Sequence, residues 1–321
     1  MATGCFPPPA ASSDAAATPA QAAPAVTMLV EPDVGAAPVL SFIRAARRSL
    51  DVEMYLLTDD GAIQALADAA LGGRDVRVIL EPHPFGDDGA NQAAFDRLGA
   101  AGVTVIWASP RFALTHAKMM LADGQRALVM SLNLTRAGLT ANREYAAVDE
   151  DATDLRELAA IVAADLIGVP APAPSGRGRL VASPANARDR LVDLMAGARR
   201  AIAVEMEELS DAASVDALLA AVGRGVAVNV VLPGAGRSAA TDAAAHRLAA
   251  GGASVRGLAS PTVHAKAIVV DAARLYLGSI NLTAASLDDN RELGLRLDDD
   301  PAAVAAIGPA MAGDWARGGE L

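Results

Sequence analysis

Apolar residues recur along the chain in two alternating patterns, one with helical spacing and one with the short runs typical of strands. Val39, Phe42 and Ile43 have the helical spacing, and residues 76–80 form a run rich in β-branched residues. In the first half these patterns predict helices over 35–50, 62–71, 91–101 and 153–167, and strands over 51–57, 76–80, 103–107, 116–121, 127–131 and 144–148. Such alternation is typical of α/β proteins whose parallel strands are joined by helices.

The pattern restarts after residues 170–178, a run of Pro, Ala, Ser and Gly with the composition of a linker. Beyond it, a helix predicted over 186–198 and strands predicted over 200–206 and 225–232 repeat the order of the first half. We therefore predict an N-terminal half over 27–169 and a C-terminal half over 179–321.

A polar motif occurs once in each half with identical spacing. The two copies are His116, Lys118 and Asp123, and His264, Lys266 and Asp271. Each copy is followed at equal distances by further polar residues, which are Ser131, Asn133 and Glu144 in the first half and Ser279, Asn281 and Glu292 in the second. Repetition at this many fixed offsets indicates one functional unit built from both halves.

The spacing of His116 and Lys118 has a chemical meaning on a strand. Side chains two residues apart point to the same face, so an imidazole and an ammonium project together. The cation selects an anion, and the imidazole can attack or transfer a proton near neutral pH. A single copy would more simply be a solvent-facing edge strand. Two matched copies with Asn and Glu partners favour a phosphate site instead.

At these residues the chain resembles the phospholipase D superfamily, whose signature is His-x-Lys-x-x-x-x-Asp followed by Gly-Ser/Thr-x-Asn, twice in one chain. The second copy fits fully, including Gly278, whereas the first has Met130 at the position of that glycine. The resemblance implies two repeated α/β halves packed as a pseudo-twofold α/β/α/β/α sandwich, with a single site at their junction.

The resemblance also implies a mechanism without metal or cofactor. One imidazole forms a phosphohistidine and the other protonates the leaving alkoxide; the resemblance suggests His116 as nucleophile and His264 as acid, although the sequence symmetry leaves the order open. Both lysines, Asn133 and Asn281 would grip phosphate oxygens, and Glu144 and Glu292 are candidates to orient the imidazoles. The signature residues predicted to be structural are Asp123, Asp271, Ser131 and Ser279.

Charge and composition narrow the substrate class. The net charge of −11 lacks the basic footprint usual for nucleic-acid binders, so we expect a phospholipid or another phosphodiester as partner rather than nucleic acid. The expected activity is that of a phospholipase D, a hydrolase of phosphoric diesters that sometimes transfers to an alcohol. A nuclease of the same superfamily and a non-catalytic phosphate- or lipid-binding module stay open as alternatives. We expect a monomer with peripheral membrane contact.

The N-terminal stretch bears on localisation. Residues 1–26 are rich in Ala and Pro and predict a disordered tether, which contains Cys5, the one cysteine of the chain. Small residues before Cys5 resemble the end of a lipoprotein signal, but the charged and apolar regions of such a signal are absent. Cell-envelope, secreted and cytoplasmic locations therefore all stay open. No apolar run reaches the length of a transmembrane helix.

Several other residues have both a functional and a structural interpretation. His83 and Phe85 lie in a Pro-flanked loop and Phe112 lies near the first motif, where each could contact substrate. Glu53 and Glu205 occupy matching strand positions and could face the site. His246 on a helix and the run 298–300 are interpreted as solvated, the latter as a turn before the last helix.

Overall fold

The computed structural model of the chain describes residues 26–85 and 88–321. The strands are β1 Thr27–Glu31, β2 Ser49–Met54, β3 Asp75–Leu80, β4 Thr104–Trp107, β5 Lys118–Ala122, β6 Arg126–Met130, β7 Glu144–Asp149, β8 Leu180–Ser183, β9 Ala201–Met206, β10 Ala227–Pro233, β11 Ser254–Leu258, β12 Lys266–Val270, β13 Arg274–Gly278, β14 Glu292–Leu297 and β15 Gly319–Glu320. The helices are α1 Ala37–Ala45, α2 Asp60–Leu71, α3 Gln92–Ala100, α4 Arg136–Thr140, α5 Ala152–Leu166, α6 Ala187–Ala196, α7 Ala212–Gly223, α8 Ala239–Ala250 and α9 Pro301–Arg317, with a π-helical turn at Ala285–Asp289.

The predicted helices and strands are present, and most of their ends agree within about two residues, the usual uncertainty of such boundaries. The first helix is the exception, because it ends at Ala45 rather than at residue 50. The Asp123 carboxylate accepts hydrogen bonds from the backbone amides of Arg47, Arg48 and Ser49 at 2.7–3.2 Å. These bonds hold the backbone in an extended course from which β2 begins.

Asp271 repeats this contact in the second half, where it accepts from the amides of Arg199, Arg200 and Ala201. Both aspartates have positive φ, 57° and 56°, at the turn after a motif strand. Such a backbone conformation is strained for most residues and is tolerated by Asp, whose side chain bonds locally. Each signature aspartate thus anchors the turn at the end of the motif strand remote from the histidine.

The two sheets are mixed, and the parallel strands expected from the alternation of helices and strands form one part of each sheet. One sheet has the order β1-β7-β6-β5-β2-β3-β4 and the other β15-β11-β10-β9-β12-β13-β14-β8. Strands β2, β3 and β4 are parallel, as are β9, β10 and β11. The motif strands β5 and β12 each pair antiparallel with the strand that follows, because a tight turn permits no other direction.

Three apolar cores separate the layers. The core formed by Val39, Leu66 and Leu98 lies between one sheet and helices α1–α3. The core formed by Leu191, Leu218 and Leu248 lies between the other sheet and helices α6–α8. The central core contains residues of both sheets together with α5 and α9, and buries Met119 of β5 beside Ala267 of β12. The α/β/α/β/α sandwich of two repeated halves is confirmed.

The halves are tied together at the motif strands. His116 N donates to Arg291 O at 2.9 Å, and His264 N donates to Arg143 O at 3.2 Å. The two arginine side chains are buried at the same junction: Arg143 pairs with Asp314 at 2.5 Å and Arg291 with Asp165 at 2.8 Å. A buried charge left without its partner is strongly unfavourable, so these pairs fix how the halves dock.

The predicted linker over 170–178 contains no helix or strand and connects α5 to β8. The predicted tether, apart from Val26, and Cys5 lie outside the described residues. The limits of the two halves, residues 27–169 and 179–321, stay a prediction.

Candidate active site

Each motif histidine contacts a glutamate of the opposite half. His116 Nδ1 lies 2.9 Å from Glu292 Oε2, and His264 Nδ1 lies 2.6 Å from Glu144 Oε1. The backbone contacts described above explain the crossing, because each histidine bonds to the residue that directly precedes the glutamate. With Nδ1 beside a carboxylate, Nε2 is the nitrogen of each imidazole that is left for chemistry, and that of His264 lies 3.6 Å from Glu207 Oε1.

The glutamates are themselves held in place, and not by equivalent residues. Ser131 Oγ donates to Glu144 Oε2 at 2.5 Å. Asn290 Nδ2 donates to Glu292 Oε1 at 3.2 Å, whereas Ser279 Oγ contacts the backbone carbonyl of Leu293. Both carboxylates are fully buried. The two halves therefore place a buried carboxylate beside each Nδ1 with different supporting residues. The contact of His116 with Glu292 is a hydrogen bond, whereas Lys266 Nζ also lies 3.3 Å from His264 Nδ1.

Both motif lysines are fully buried beside the histidines. Lys118 Nζ donates to His116 O at 2.8 Å and lies 4.8 Å from the centre of the Tyr55 ring. Lys266 Nζ donates to His264 O at 2.6 Å and forms an ion pair with Glu207 at 2.6 Å. The predicted imidazole–ammonium pair is present in each half, but only the second ammonium has a carboxylate in direct contact.

Burial controls the protonation of the first motif. Burial, helped by the charge of Lys118 and opposed by that of Glu292, lowers the pKa of His116 to about 4. Burial and the neighbouring Lys266 lower the pKa of Lys118 to about 7. Burial acts to raise the pKa of Glu292, but its hydrogen bonds to His116 and Ser286 and the charge of Lys118 outweigh burial and hold that pKa below its usual range. His116 is therefore a neutral imidazole at neutral pH.

A single open cavity of about 390 Å³ joins the two motifs. His116 and His264 both line it, and the other lining residues are Tyr55, Phe85, Leu114, Glu207, Glu208, Asn281, Thr283, Ala285, Ser286 and Asn290. The two asparagines differ: Asn281 Nδ2 lies 3.4 Å from Glu207 Oε2, whereas the buried Asn133 Oδ1 accepts no hydrogen bond from any described residue.

The sequence reasoning missed Glu207, Glu208 and Tyr55 as residues of this cavity. A signal was present, because Tyr55 and Glu207 each directly follow the Val-Glu-Met sequence at the end of matching strands. The repeat thus breaks its symmetry at a position beside the motif lysines. Where two otherwise matching halves differ at one position, as at Tyr55 and Glu207, the residue is expected to have a function in one half only.

The other candidates lie outside the cavity, with the exception of Phe85, which is 93% exposed at its rim. Phe112 stacks on the Arg291 guanidinium at 4.3 Å, and His83 is exposed in its loop. Glu53 and Glu205 lie at the junction of the halves. Burial and the charge of Asp165 raise the pKa of Glu53, and burial raises the pKa of Glu205 to about 7, where it accepts from the Tyr145 hydroxyl.

The residues interpreted as solvated, His246 and the run 298–300, lie on a helix surface and at the start of the last helix. His246 is exposed on α8, and Asp300 caps the start of α9 by accepting from the Ala303 amide.

The presence of Met130 at the position of the signature glycine also has a structural basis. Gly278 packs against the backbone of Gly294, where a side chain would clash, whereas Met130 faces Ala146 at the matching pair and is accommodated in the core.

Within residues 26–85 and 88–321, no group of three or more His, Cys, Asp or Glu side chains is arranged to hold a metal ion. None of the helices described there combines the length and apolarity needed to cross a bilayer.

Comparison with known proteins gives matches in both halves. The profile of the family described as "Cardiolipin synthase, PLD-like domain" matches residues 39–166 and 191–315. Cardiolipin synthase A of Pectobacterium carotovorum subsp. carotovorum (strain PC1) is 33% identical over 129 residues, which are 38% of this chain and 26% of that protein. The match thus spans about a quarter of the length of that relative.

Solved structures with a similar fold cover nearly the whole chain. Phosphatidylserine synthase from Haemophilus influenzae Rd KW20 superposes with a TM-score of 0.70 at 12% identity, over 92% of this chain and 87% of that one. Polyphosphate kinase from Porphyromonas gingivalis superposes with a TM-score of 0.68 at 17% identity, over 90% of this chain and 50% of that one. At these identities the likeness concerns the fold.

Proposed function

Because the chain belongs to the family of cardiolipin synthase, PLD-like domains, we propose that it hydrolyses the phosphodiester bond of a phospholipid, or transfers the phosphatidyl group to an alcohol, through a phosphohistidine intermediate. The observation that carries the proposal is the pair of imidazoles lining one cavity, each held at Nδ1 by a buried carboxylate of the opposite half. This arrangement supplies one nucleophile and one acid to the same phosphorus atom.

In the first step, His116 Nε2 attacks phosphorus and a P–N bond forms while the P–O bond to the leaving alcohol breaks. His264 donates its Nε2 proton to the departing alkoxide. The assignment of roles rests on the surroundings of the two rings. His116 is neutral, with a pKa lowered to about 4, as a nucleophile must be. His264 is flanked at its ring nitrogens by two carboxylates, Glu144 at 2.6 Å and Glu207 at 3.6 Å, and we assign it the role of acid.

In the second step, His264 accepts a proton from water or from an alcohol, whose oxygen then attacks phosphorus and breaks the P–N bond. Asn281 lines the cavity, and Lys118 and Lys266 lie buried beside the two histidines. These three groups would stabilise the charge on the non-bridging oxygens. Glu292 stabilises the positive charge that His116 acquires while it carries the phosphoryl group. Each step uses a side chain of this chain, so we expect turnover that needs no added metal.

The test is a panel of phospholipid vesicles, oligonucleotides and nitrophenyl diesters assayed with and without EDTA. We expect phospholipid turnover that persists in EDTA and disappears in both His116→Ala and His264→Ala. Each variant should lose more than about a hundredfold, because a general acid alone contributes at least that much. Turnover of oligonucleotides but not of lipids would replace the proposal with a nuclease, and full dependence on metal would refute the mechanism.

The order of the two histidines has its own test. A nitrophenyl leaving group needs little proton donation, so His264→Ala should still react once and release a stoichiometric burst of nitrophenol. Mass spectrometry under non-acidic conditions should then find the adduct on the peptide that contains His116, and His116→Ala should give neither burst nor adduct. An adduct on His264 would reverse the roles, and its absence in both variants would indicate direct attack by water.

A further inference from the structure

Glu207 is an acidic side chain in a pocket that the proposed function requires to bind an anion. Its Oε2 lies 2.6 Å from Lys266 Nζ and 3.4 Å from Asn281 Nδ2, and its Oε1 lies 3.6 Å from His264 Nε2. These partners are the donors that a phosphate oxygen would use in the second half of the site. The carboxylate therefore occupies the position of a phosphate oxygen.

The first half shows that this contact is not a requirement of the fold. Tyr55 stands at the matching position, and its ring lies against His116 at a centroid distance of 4.5 Å and against Lys118. A ring can cover the lysine and leave its charge available, whereas a carboxylate neutralises it. The side chain of Glu207 is 31% exposed, so it has room to move aside when a ligand enters.

The cavity lining contains a second acidic residue besides Glu207, and the ammonium in direct contact with Glu207 is that of the buried Lys266. Besides the two histidines, the charged residues that line the cavity are Glu207 and Glu208, so the lining is acidic among the described residues. Burial opposes the ionisation of Glu207, but the charges of His264 and Lys266 outweigh it and keep the pKa of this carboxyl far below its usual range. The negative charge thus stays in the pocket throughout the neutral range of pH.

We propose that Glu207 is a specificity-determining residue, which holds the place of a phosphate oxygen in the unliganded site and makes the pocket favour phosphodiesters with a cationic substituent over ligands with additional negative charge. This inference rests on the proposed function for its substrate class. A bound phosphate must displace the carboxylate from Lys266, and the displaced charge stays nearby. A second negative charge on the ligand is then repelled, whereas an ammonium group beside the phosphate is attracted.

The first experiment measures binding without turnover. Titration calorimetry with tungstate, a dianion that resembles phosphate, is carried out on the wild type, Glu207→Gln and Glu207→Asp. We expect Glu207→Gln to bind tungstate about tenfold more tightly, the effect of removing one repulsive interaction worth about 1.4 kcal/mol. Glu207→Asp keeps the negative charge and should bind tungstate as weakly as the wild type does. Equal affinities in all three proteins, with unchanged melting temperatures, would overturn the inference.

The second experiment measures nitrophenol release from a charge series: nitrophenyl phosphocholine, methyl nitrophenyl phosphate and nitrophenyl phosphate, whose net charges become steadily more negative. The wild type should have its highest kcat/KM with nitrophenyl phosphocholine, the ester with a cationic substituent. In Glu207→Gln this preference should be about tenfold smaller for each negative charge by which the compared substrates differ. The matched control is Glu208→Gln, which removes a carboxyl group from the neighbouring residue of the cavity lining; among the described residues Lys266 forms its ion pair with Glu207 and not with Glu208. An equal change in both variants would overturn a special role of Glu207.

The two proposals fail in distinguishable ways. If no phosphodiester is turned over but Glu207→Gln still binds tungstate more tightly, the proposed reaction is wrong and the anion-excluding role of Glu207 holds. If the wild type turns over diesters while the substitution changes neither tungstate affinity nor the charge preference, the reaction holds and the inference about Glu207 is refuted.

Discussion

Replacing Glu292 by Gln tests the contact between the halves that the chemistry needs. The carboxylate is fully buried and lies 2.9 Å from His116 Nδ1. Gln has the same shape and keeps one oxygen that can accept from His116, so the substitution removes the negative charge together with the acceptor that Asn290 uses. In the first step His116 becomes positively charged as it binds phosphorus, and the charge of Glu292 stabilises that state.

The size of the effect follows from the geometry. Two unit charges about 4 Å apart interact by about 4 kcal/mol at the effective dielectric constant of about 20 that suits such sites. Part of this interaction is already present before the reaction, through the partial charge of the imidazole N–H. We therefore expect a loss of about 3–4 kcal/mol, which is a decrease in kcat of about 10²- to 10³-fold.

The assay is steady-state hydrolysis of a nitrophenyl phosphodiester across the pH range. The substitution should lower kcat with little change in KM, because the charge acts on the transition state. It should also move the acidic limb of kcat/KM to lower pH, because Glu292 raises the pKa of His116 in the wild type. A purely structural role of Glu292 would not move this limb.

The matched control is Glu205→Gln, a buried carboxyl on β9 that contacts Tyr145 rather than an imidazole. Burial raises its pKa to about 7, so the neutral amide resembles its protonated form. We expect the kcat of Glu205→Gln to stay within about threefold of the wild-type value, which corresponds to a fraction of a kcal/mol. If Glu292→Gln kept more than about a tenth of the wild-type kcat while Glu205→Gln behaved as expected, the argument for charge stabilisation across the junction would be refuted.

Three further outcomes follow from the described contacts. The value of kcat/KM should fall below about pH 4, where His116 gains a proton, and above about pH 7, where Lys118 loses the proton that binds phosphate; an acidic limb near the ordinary histidine value of about 6.5 would contradict this. Cutting the chain near Ser175 should abolish activity in either part alone and restore some on mixing, since each part holds one of the two motif imidazoles; activity in a monomeric half, checked by light scattering, would refute the shared site. Arg143→Met should lower the free energy of unfolding by about 3–5 kcal/mol in urea titrations, because Asp314 then stays buried without this partner; a change under about 1 kcal/mol would contradict it.

The sequence by itself determined the repeat, the elements and the residue types of the chemistry. Apolar periodicity reports which face of each segment is buried, so helices and strands such as α2 and β3 could be predicted with ends close to those observed. The two His-x-Lys pairs could be identified because they recur at the same offsets in both halves, although each histidine lies two residues before the strand that begins at its lysine. Where a distant side chain intervened, the prediction erred: Asp123 ends α1 early by binding backbone amides 74–76 residues away in the sequence.

Only the tertiary structure decided which groups meet in the site. His116 and Glu292 are 176 residues apart, and nothing in the local pattern indicates that each histidine is held by the glutamate of the opposite half. That pairing depends on how the halves dock, which the central core and the buried pairs of Arg143 and Arg291 fix. The role of Glu207 is decided in the same way, because a strand-end glutamate acquires a meaning only when its side chain lies among Lys266, Asn281 and His264. Local periodicity constrains which side of an element is buried, whereas contacts between distant residues require the assembled chain.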